Sequence, residues 1–270
     1  MRNIKARVLT LAGVAVSLLM LPVGASAEEK NWGKYQVDDR RSGYTYATAE
    51  TQAMQDDDFS NPAFIWVDQG ETLWSTVEGE AGKSCQSCHE DAAVSMKGVG
   101  AVYPKYDFQT KKLINVEQRI NRCREENMKA KAWKYESTEL LSMTTYVRHQ
   151  SSGLPMNVAI DGNAAPFFEK GKKFFNQSRG QLDLACKHCH EDNPGQMARA
   201  NLLSQGQSNG FPTYRLKWQK AGSLHRRFRG CNRNIRATPY KAGSEEYNNL
   251  ELFVAWRGRG LPVEAPAVRN

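Results

Sequence analysis

The chain has 270 residues, 40% of them hydrophobic, and carries 37 Lys and Arg against 29 Asp and Glu. That length accommodates one large domain or two smaller ones, and the basic excess is too modest to mark a nucleic-acid-binding protein. It narrows to 34 against 29 once Arg2, Lys5 and Arg7 of the N-terminal segment are set aside.

That segment, residues 1–27, reads as an export signal: a basic start, an apolar run over residues 8–23, and the small-residue site Ala25-Ser26-Ala27 before Glu28. The apolar run is short for a bilayer span and ends in Pro22 and Gly24. No other stretch is apolar enough to span a membrane, so after signal removal the protein is expected to work in a periplasm. Residues 28–59 form a polar N-terminal extension, expected to wrap a domain or to contact a partner.

Two helix-rich segments follow, residues 60–160 and 161–270. "SNPAFIWVDQGETLWSTVEG" and "APFFEKGKKFFNQS" are predicted helices, the second opening on Pro166. "STELLSMTTYVRHQ" and "SEEYNNLELFVAWRG" each begin with a serine cap, carry apolar residues at helical spacing, and stop before glycine and proline. Between the helices the chain is rich in Gly, Asn and Ser, which predicts loops around a bulky cofactor. The expected fold is mainly α, with two tandem cytochrome c-like haem domains.

The cofactor is read from the cysteines. Six cysteines in an exported protein ordinarily suggest three disulfides, but here four of them fall in "CQSCH" at residues 85–89 and "CKHCH" at residues 186–190. CxxCH is the attachment signature of a c-type haem: two thiols add across the vinyl groups, and the following His stands beneath the iron. Zinc ribbons pair CxxC motifs without requiring His after each, and a thioredoxin-like dithiol wants a βαβ context that is not seen. Cys85, Cys88, Cys186 and Cys189 are therefore the expected anchors of two covalently bound haem c groups, with His89 and His190 as proximal ligands.

The similarity extends past the motifs. Gly70 and Gly171 stand fifteen residues ahead of Cys85 and Cys186, each with an aromatic residue one turn later, Trp74 and Phe175. Downstream come Cys123 and Cys231, each with an arginine four residues before it, Arg119 and Arg227, and then "GLP" at Gly153 and at Gly260. Markers in the same order indicate an internal duplication.

CxxCH leaves the distal ligand open, and electron carriers commonly use a late Met. In the second repeat the last methionine, Met197, lies only seven residues beyond His190, too near to reach the opposite haem face. The candidates there are His188, His225 and Cys231, and the duplication favours Cys231 because Cys123 holds the same place. In the first repeat Met128, Met143 and Met156 compete with Cys123. A Cys123–Cys231 disulfide is the structural alternative and would need the two Cα atoms within about 6 Å. A thiolate ligand donates electron density and lowers the reduction potential. Arg227, in the arginine cluster "HRRFRG", would favour the thiolate and offers a planar fork for an oxyanion, which points to a small sulfur or oxygen anion delivered to the Cys231 sulfur.

On "CQSCH", "INRCREE", "CKHCH", "RFRGCNRNIRA" and the two "GLP" turns, the chain resembles the diheme branch of the SoxA family, the A subunits of the Sox thiosulfate-oxidising cytochrome. The resemblance spans essentially the mature chain, and its specific part is the block around Cys231. It implies a heterodimer with a SoxX-like monohaem cytochrome c. It further implies the oxidative joining of thiosulfate to a cysteine of the SoxYZ carrier protein, with electrons passing on to a downstream small cytochrome c. It implies that His190 and Cys231 ligate the catalytic haem, that Cys231 is the sulfur at which conjugation occurs, that Arg227 binds the anion, and that His89 and Cys123 ligate the first haem. Two other readings are a diheme electron-transfer cytochrome without a substrate of its own and a diheme peroxidase.

Overall fold

The computed structural model describes residues 31–270; the export signal expected at residues 1–27 lies outside the described residues. The first elements belong to the N-terminal extension: an antiparallel pair, β1 (Gln36–Val37) and β2 (Arg40–Arg41), and helix α1 (Ala49–Asp56), opened by the Thr48 side chain accepting from the Thr51 N–H. The extension is fastened to distant parts of the chain. The Arg41 N–H donates to Gln205 Oε1 at 2.6 Å, the Val268 N–H to Gln55 Oε1 at 3.1 Å, and Ser42 Oγ bonds the Glu264 carboxylate. It therefore lies along the C-terminal segment and the second repeat.

The first repeat contains α2 (Phe64–Ser75), α3 (Gln86–His89), α4 (Ala92–Ser95), the hairpin β3 (Lys105–Asp107) and β4 (Lys112–Ile114), α5 (Val116–Cys123) and α6 (Thr138–His149). The second contains α7 (Ala165–Asn176), α8 (Cys186–His190), the hairpins β5 (Met197–Ala198) with β6 (Asn201–Leu202) and β7 (Thr213–Arg215) with β8 (Lys220–Gly222), α9 (Leu224–Asn234) and α10 (Glu245–Arg257). Strand β9 (Ala267–Arg269) adds parallel to β7. The fold is mainly α. Polar side chains set the helix starts: Asn115, Ser137, Ser223 and Ser244 each accept a hydrogen bond from the main-chain N–H three residues on. The segments predicted as loops contain hairpins instead. In β3–β4 and β7–β8 the tyrosines Tyr106 and Tyr214 occupy the same register, and both are packed against core clusters or within them.

The repeated glycines set the helix crossings. A Cβ on Gly70 would stand 2.4 Å from the Ser142 carbonyl oxygen, and one on Gly171 would stand 2.0 Å from that of Asn249. Helices α2 and α6, and likewise α7 and α10, can therefore approach backbone to backbone only because no side chain intervenes. Gly171→Ala is expected to lower stability by about 1–3 kcal/mol, as overpacking does, to be read from urea melts of the haem-loaded protein.

Trp32–Asn270 form one compact unit, and the two repeats meet through equivalent surfaces. The two "GLP" turns bond each other reciprocally: the Met156 N–H donates to the Leu261 oxygen at 2.9 Å, and the Val263 N–H to the Leu154 oxygen at 2.8 Å. Between them lies a small cavity of about 10 Å³, lined by paired counterparts: Tyr103 and Phe211, Val116 and Leu224, Thr144 and Glu251. The first turns of α5 and α9 converge beside it, with Glu117 and His225 buried at matching positions. The arrangement is that of an isologous dimer interface joined into one chain. The largest hydrophobic cluster accordingly draws Ala101, Leu113 and Met156 from one repeat and Phe175, Phe228 and Tyr247 from the other.

Candidate active site

In the second repeat, α8 carries "CKHCH" and ends at His190. The His190 Nδ1 lies 2.7 Å from the Ser204 carbonyl oxygen, which sets the ring orientation and directs the other nitrogen away. Gly206, in a left-handed conformation at φ +73°, closes against the ring; a Cβ there would stand 2.8 Å from His190 Cγ. Arg257 completes the seat by donating to the His190 carbonyl at 3.3 Å and to that of Gln205 at 3.0 Å.

Helix α9 brings Cys231 to the other side. The His190 imidazole lies beside the Cys231 sulfur. Burial alone would push the Cys231 thiol up, but the Arg227 guanidinium one turn earlier, the His190 contact and the charge of Arg215 outweigh it and bring the group down to about 6. Burial and the facing Cys231 sulfur push Cys186 in the opposite direction, up to about 12. An oriented imidazole opposite a sulfur, with the two cysteines of CxxCH alongside, is a donor set suited to a c-type haem iron. In the first repeat the structure brings Cys85 beside Cys123, while His89 is exposed. Cys85 is pushed up to about 11 by burial and by Cys123, which ends α5, and the His89 ring lies 5.9 Å from that of Trp74.

The structure thus brings together Cys186, Cys189, His190, Arg227 and Cys231 in one repeat, and Cys85 with Cys123 in the other. No two of the six cysteines are joined in a disulfide, so the Cys123–Cys231 disulfide does not form. Of the competing ligands, His225, His188 and Met156 have other engagements, whereas Met143 packs in the cluster that holds Trp74 and Cys85. His225 Nδ1 accepts from the Gly243 N–H at 2.9 Å, and its Nε2 faces Glu251 at 2.9 Å, off the hydrogen-bond line. His188 Nδ1 accepts from the Ala185 N–H at 3.1 Å, and the Met156 sulfur takes a 3.8 Å contact from Arg148. Met197 is exposed on β5. Arg215, Ser204 and Gly206 were not anticipated. Ser204 and Gly206 carry no motif, whereas Arg215 could have been found by aligning "YDFQTKKLIN" with "YRLKWQKAGS".

A mainly α fold with two such sites defines a cytochrome c protein with covalently bound haem c. The comparisons narrow the class. The family model described as SoxA/TsdA, cytochrome c domain, matches residues 69–156 and 170–263. The L-cysteine S-thiosulfotransferase subunit SoxA of Pseudaminobacter salicylatoxidans is 50% identical over 87% of this chain and 83% of its own; that of Paracoccus pantotrophus is 45% identical over 85% and 79%. A crystal structure of SoxXA from P. pantotrophus superposes with a TM-score of 0.83 at 44% identity, covering 86% of this chain and 87% of that one. The chain belongs to the SoxA family. Among the described residues no helix is long and apolar enough to cross a membrane.

Proposed function

We propose that this chain is the diheme subunit of an L-cysteine S-thiosulfotransferase, working in the periplasm beside a SoxX-like monohaem cytochrome c and joining thiosulfate to a cysteine of the SoxYZ carrier. The observation that carries the reading is the convergence of the His190 imidazole, the Cys231 sulfur and the Arg227 guanidinium. Cys85, Cys88, His89 and Cys123 would hold one haem; Cys186, Cys189, His190 and Cys231 would hold the other.

Bound haem supplies one-electron acceptors, one in this site and a second in the partner subunit, with a downstream small cytochrome c beyond. The chain's own residues manage the charge. Thiosulfate is a dianion approaching a thiolate, so Arg227 offsets a repulsion that would otherwise keep the two sulfurs apart. The terminal sulfur of thiosulfate bonds to the Cys231 sulfur with loss of two electrons. The carrier thiolate then attacks that sulfane sulfur, takes the S-thiosulfonate, and leaves Cys231 as a thiolate again.

The test uses the complex with its monohaem partner and the carrier protein, following the mass gain of thiosulfate on the carrier cysteine. Arg227→Ala is expected to reduce kcat/KM for thiosulfate on the order of 100-fold, the loss of a charge-assisted contact in a partly desolvated site, with haem content unchanged. Undiminished turnover would remove Arg227 from the site.

A further inference from the structure

The two repeats hold the same hairpin but opposite charges at one position. Asp107 ends β3 opposite Lys112, and Arg215 ends β7 opposite Lys220, in identical register. Each hairpin runs into the helix that bears the distal-side cysteine, so Asp107 stands to Cys123 as Arg215 stands to Cys231.

In the first repeat the cation adjoining the cysteine is already occupied. Arg122, next to Cys123, bonds Asp107 at 2.6 Å and approaches Glu126 at 3.5 Å. Hydrogen bonds from Thr110 and Arg122 overcome the burial of Asp107 and hold it ionised, down to about 2. In the second repeat the counterpart of Arg122 is Gly230, and a Cβ placed there would meet no atom within 4 Å. Gly230 thus places no side chain beside Cys231, where Arg122 holds an ion pair beside Cys123. Among the described residues, Arg215 and Arg227 form no ion pair with a carboxylate side chain. The Arg215 Nε donates to the Asn270 main-chain oxygen at 2.6 Å and its Nη2 bonds the same oxygen, which fixes the side chain and leaves Nη1 for an anion, and its guanidinium carbon lies 5.2 Å from the Trp218 ring centroid.

We propose that Arg215 is a second anion-binding residue of the Cys231 site, pairing with Arg227 on the sulfonate of thiosulfate, and that Asp107 in its place bars anions from the first repeat. This rests on the function proposed above. A divalent anion beside a thiolate is balanced better by two guanidinium groups than by one. Arg215 approaches from the strand and Arg227 from the helix, and Gly230 leaves the entrance clear. The mature chain thus carries one anion site although it carries the haem motif twice.

The experiment uses the complex with its monohaem partner. Arg215→Ala is expected to raise the KM for thiosulfate about tenfold, the loss of one charge-assisted hydrogen bond, while kcat falls less than threefold and haem content and visible spectrum are unchanged. Arg215→Lys should recover most of the affinity, and Arg215→Asp, which copies the first repeat, should lose more than Arg215→Ala. Calorimetric titration of thiosulfate into the ferric complex gives the same ranking without turnover. A KM and dissociation constant for Arg215→Ala within twofold of the wild type, or an equal fall in kcat with an altered spectrum, would overturn the assignment while leaving the transferase reading intact. A wild type that binds thiosulfate with this ranking but transfers nothing to the carrier would support the anion site and refute the transferase reading. A wild type that does neither overturns both.

Discussion

Cys231→Ser is expected to reduce thiosulfate transfer to the carrier by roughly 1,000-fold or more, as removal of a reacting nucleophile does, while leaving both haems attached. On the proposed assignment attachment depends on Cys85, Cys88, Cys186 and Cys189, so the haem absorbance per chain should equal that of the wild type. Serine is nearly isosteric and keeps a hydrogen-bonding atom toward His190, but it cannot form the sulfur–sulfur bond, and its hydroxyl is not brought to an anion by two arginines as the thiol is. Stopped-flow measurement of thiosulfate-dependent cytochrome reduction gives the rate, and low-temperature EPR of the ferric complex should show the second haem altered and the first unchanged. Cys123→Ser should change the other EPR signal and leave transfer within a few-fold. An electron-transfer cytochrome without its own substrate predicts full turnover for Cys231→Ser, so this pair of variants separates the two readings.

The haem class was legible because covalent attachment demands a local spelling. Cys186, Cys189 and His190 must be adjacent in sequence, and the duplication then singled out Cys123 and Cys231 by position alone. Helices α6 and α10 were legible through Ser137 and Ser244, since a cap is a local hydrogen bond. What could not be read came from the packing of one repeat on the other. Leu113 belongs to no motif, yet it lies in a cluster with Phe228 and Leu250 from the other repeat. His225 reads as a solvated residue among arginines or as an iron ligand, yet it is 1% exposed because Tyr135 stacks on it from the first repeat. Ser204 contributes a main-chain oxygen to His190, which any residue could supply, so its identity carries no signal.

Glu117 gives the second large effect, and it belongs to stability. Burial, followed by the neighbouring Glu251 carboxylate, pushes Glu117 up to about 7, against the lowering influence of His225 and Arg148. The groups facing it account for the direction. Arg148 is buried and its charge is disfavoured by burial, with Glu251 and Glu117 opposing that loss, so one carboxylate balances one guanidinium. Asn115 donates to Glu251 at 3.2 Å, and Tyr135 bonds Asn115 at 3.1 Å. Nδ1 of His225 accepts a main-chain hydrogen bond from Gly243. Burial and the Glu251 carboxylate together outweigh what His225 and Arg148 offer a second carboxylate, so Glu117 is favoured as the acid. Because its folded value lies above its unfolded one, Glu117 contributes stability that is complete below about pH 4.5 and is lost as the pH rises through about 7. The span corresponds to roughly 3 kcal/mol. Glu117→Gln keeps the shape and the neutral form, so its stability should match the wild type near pH 4.5 and exceed it by about 2–3 kcal/mol at pH 8, with a flatter profile between. Urea unfolding of the haem-loaded protein across that range measures the difference, and parallel profiles for the two proteins would show that Glu117 is ionised in the folded chain and that the interface between the repeats buries a second balanced pair.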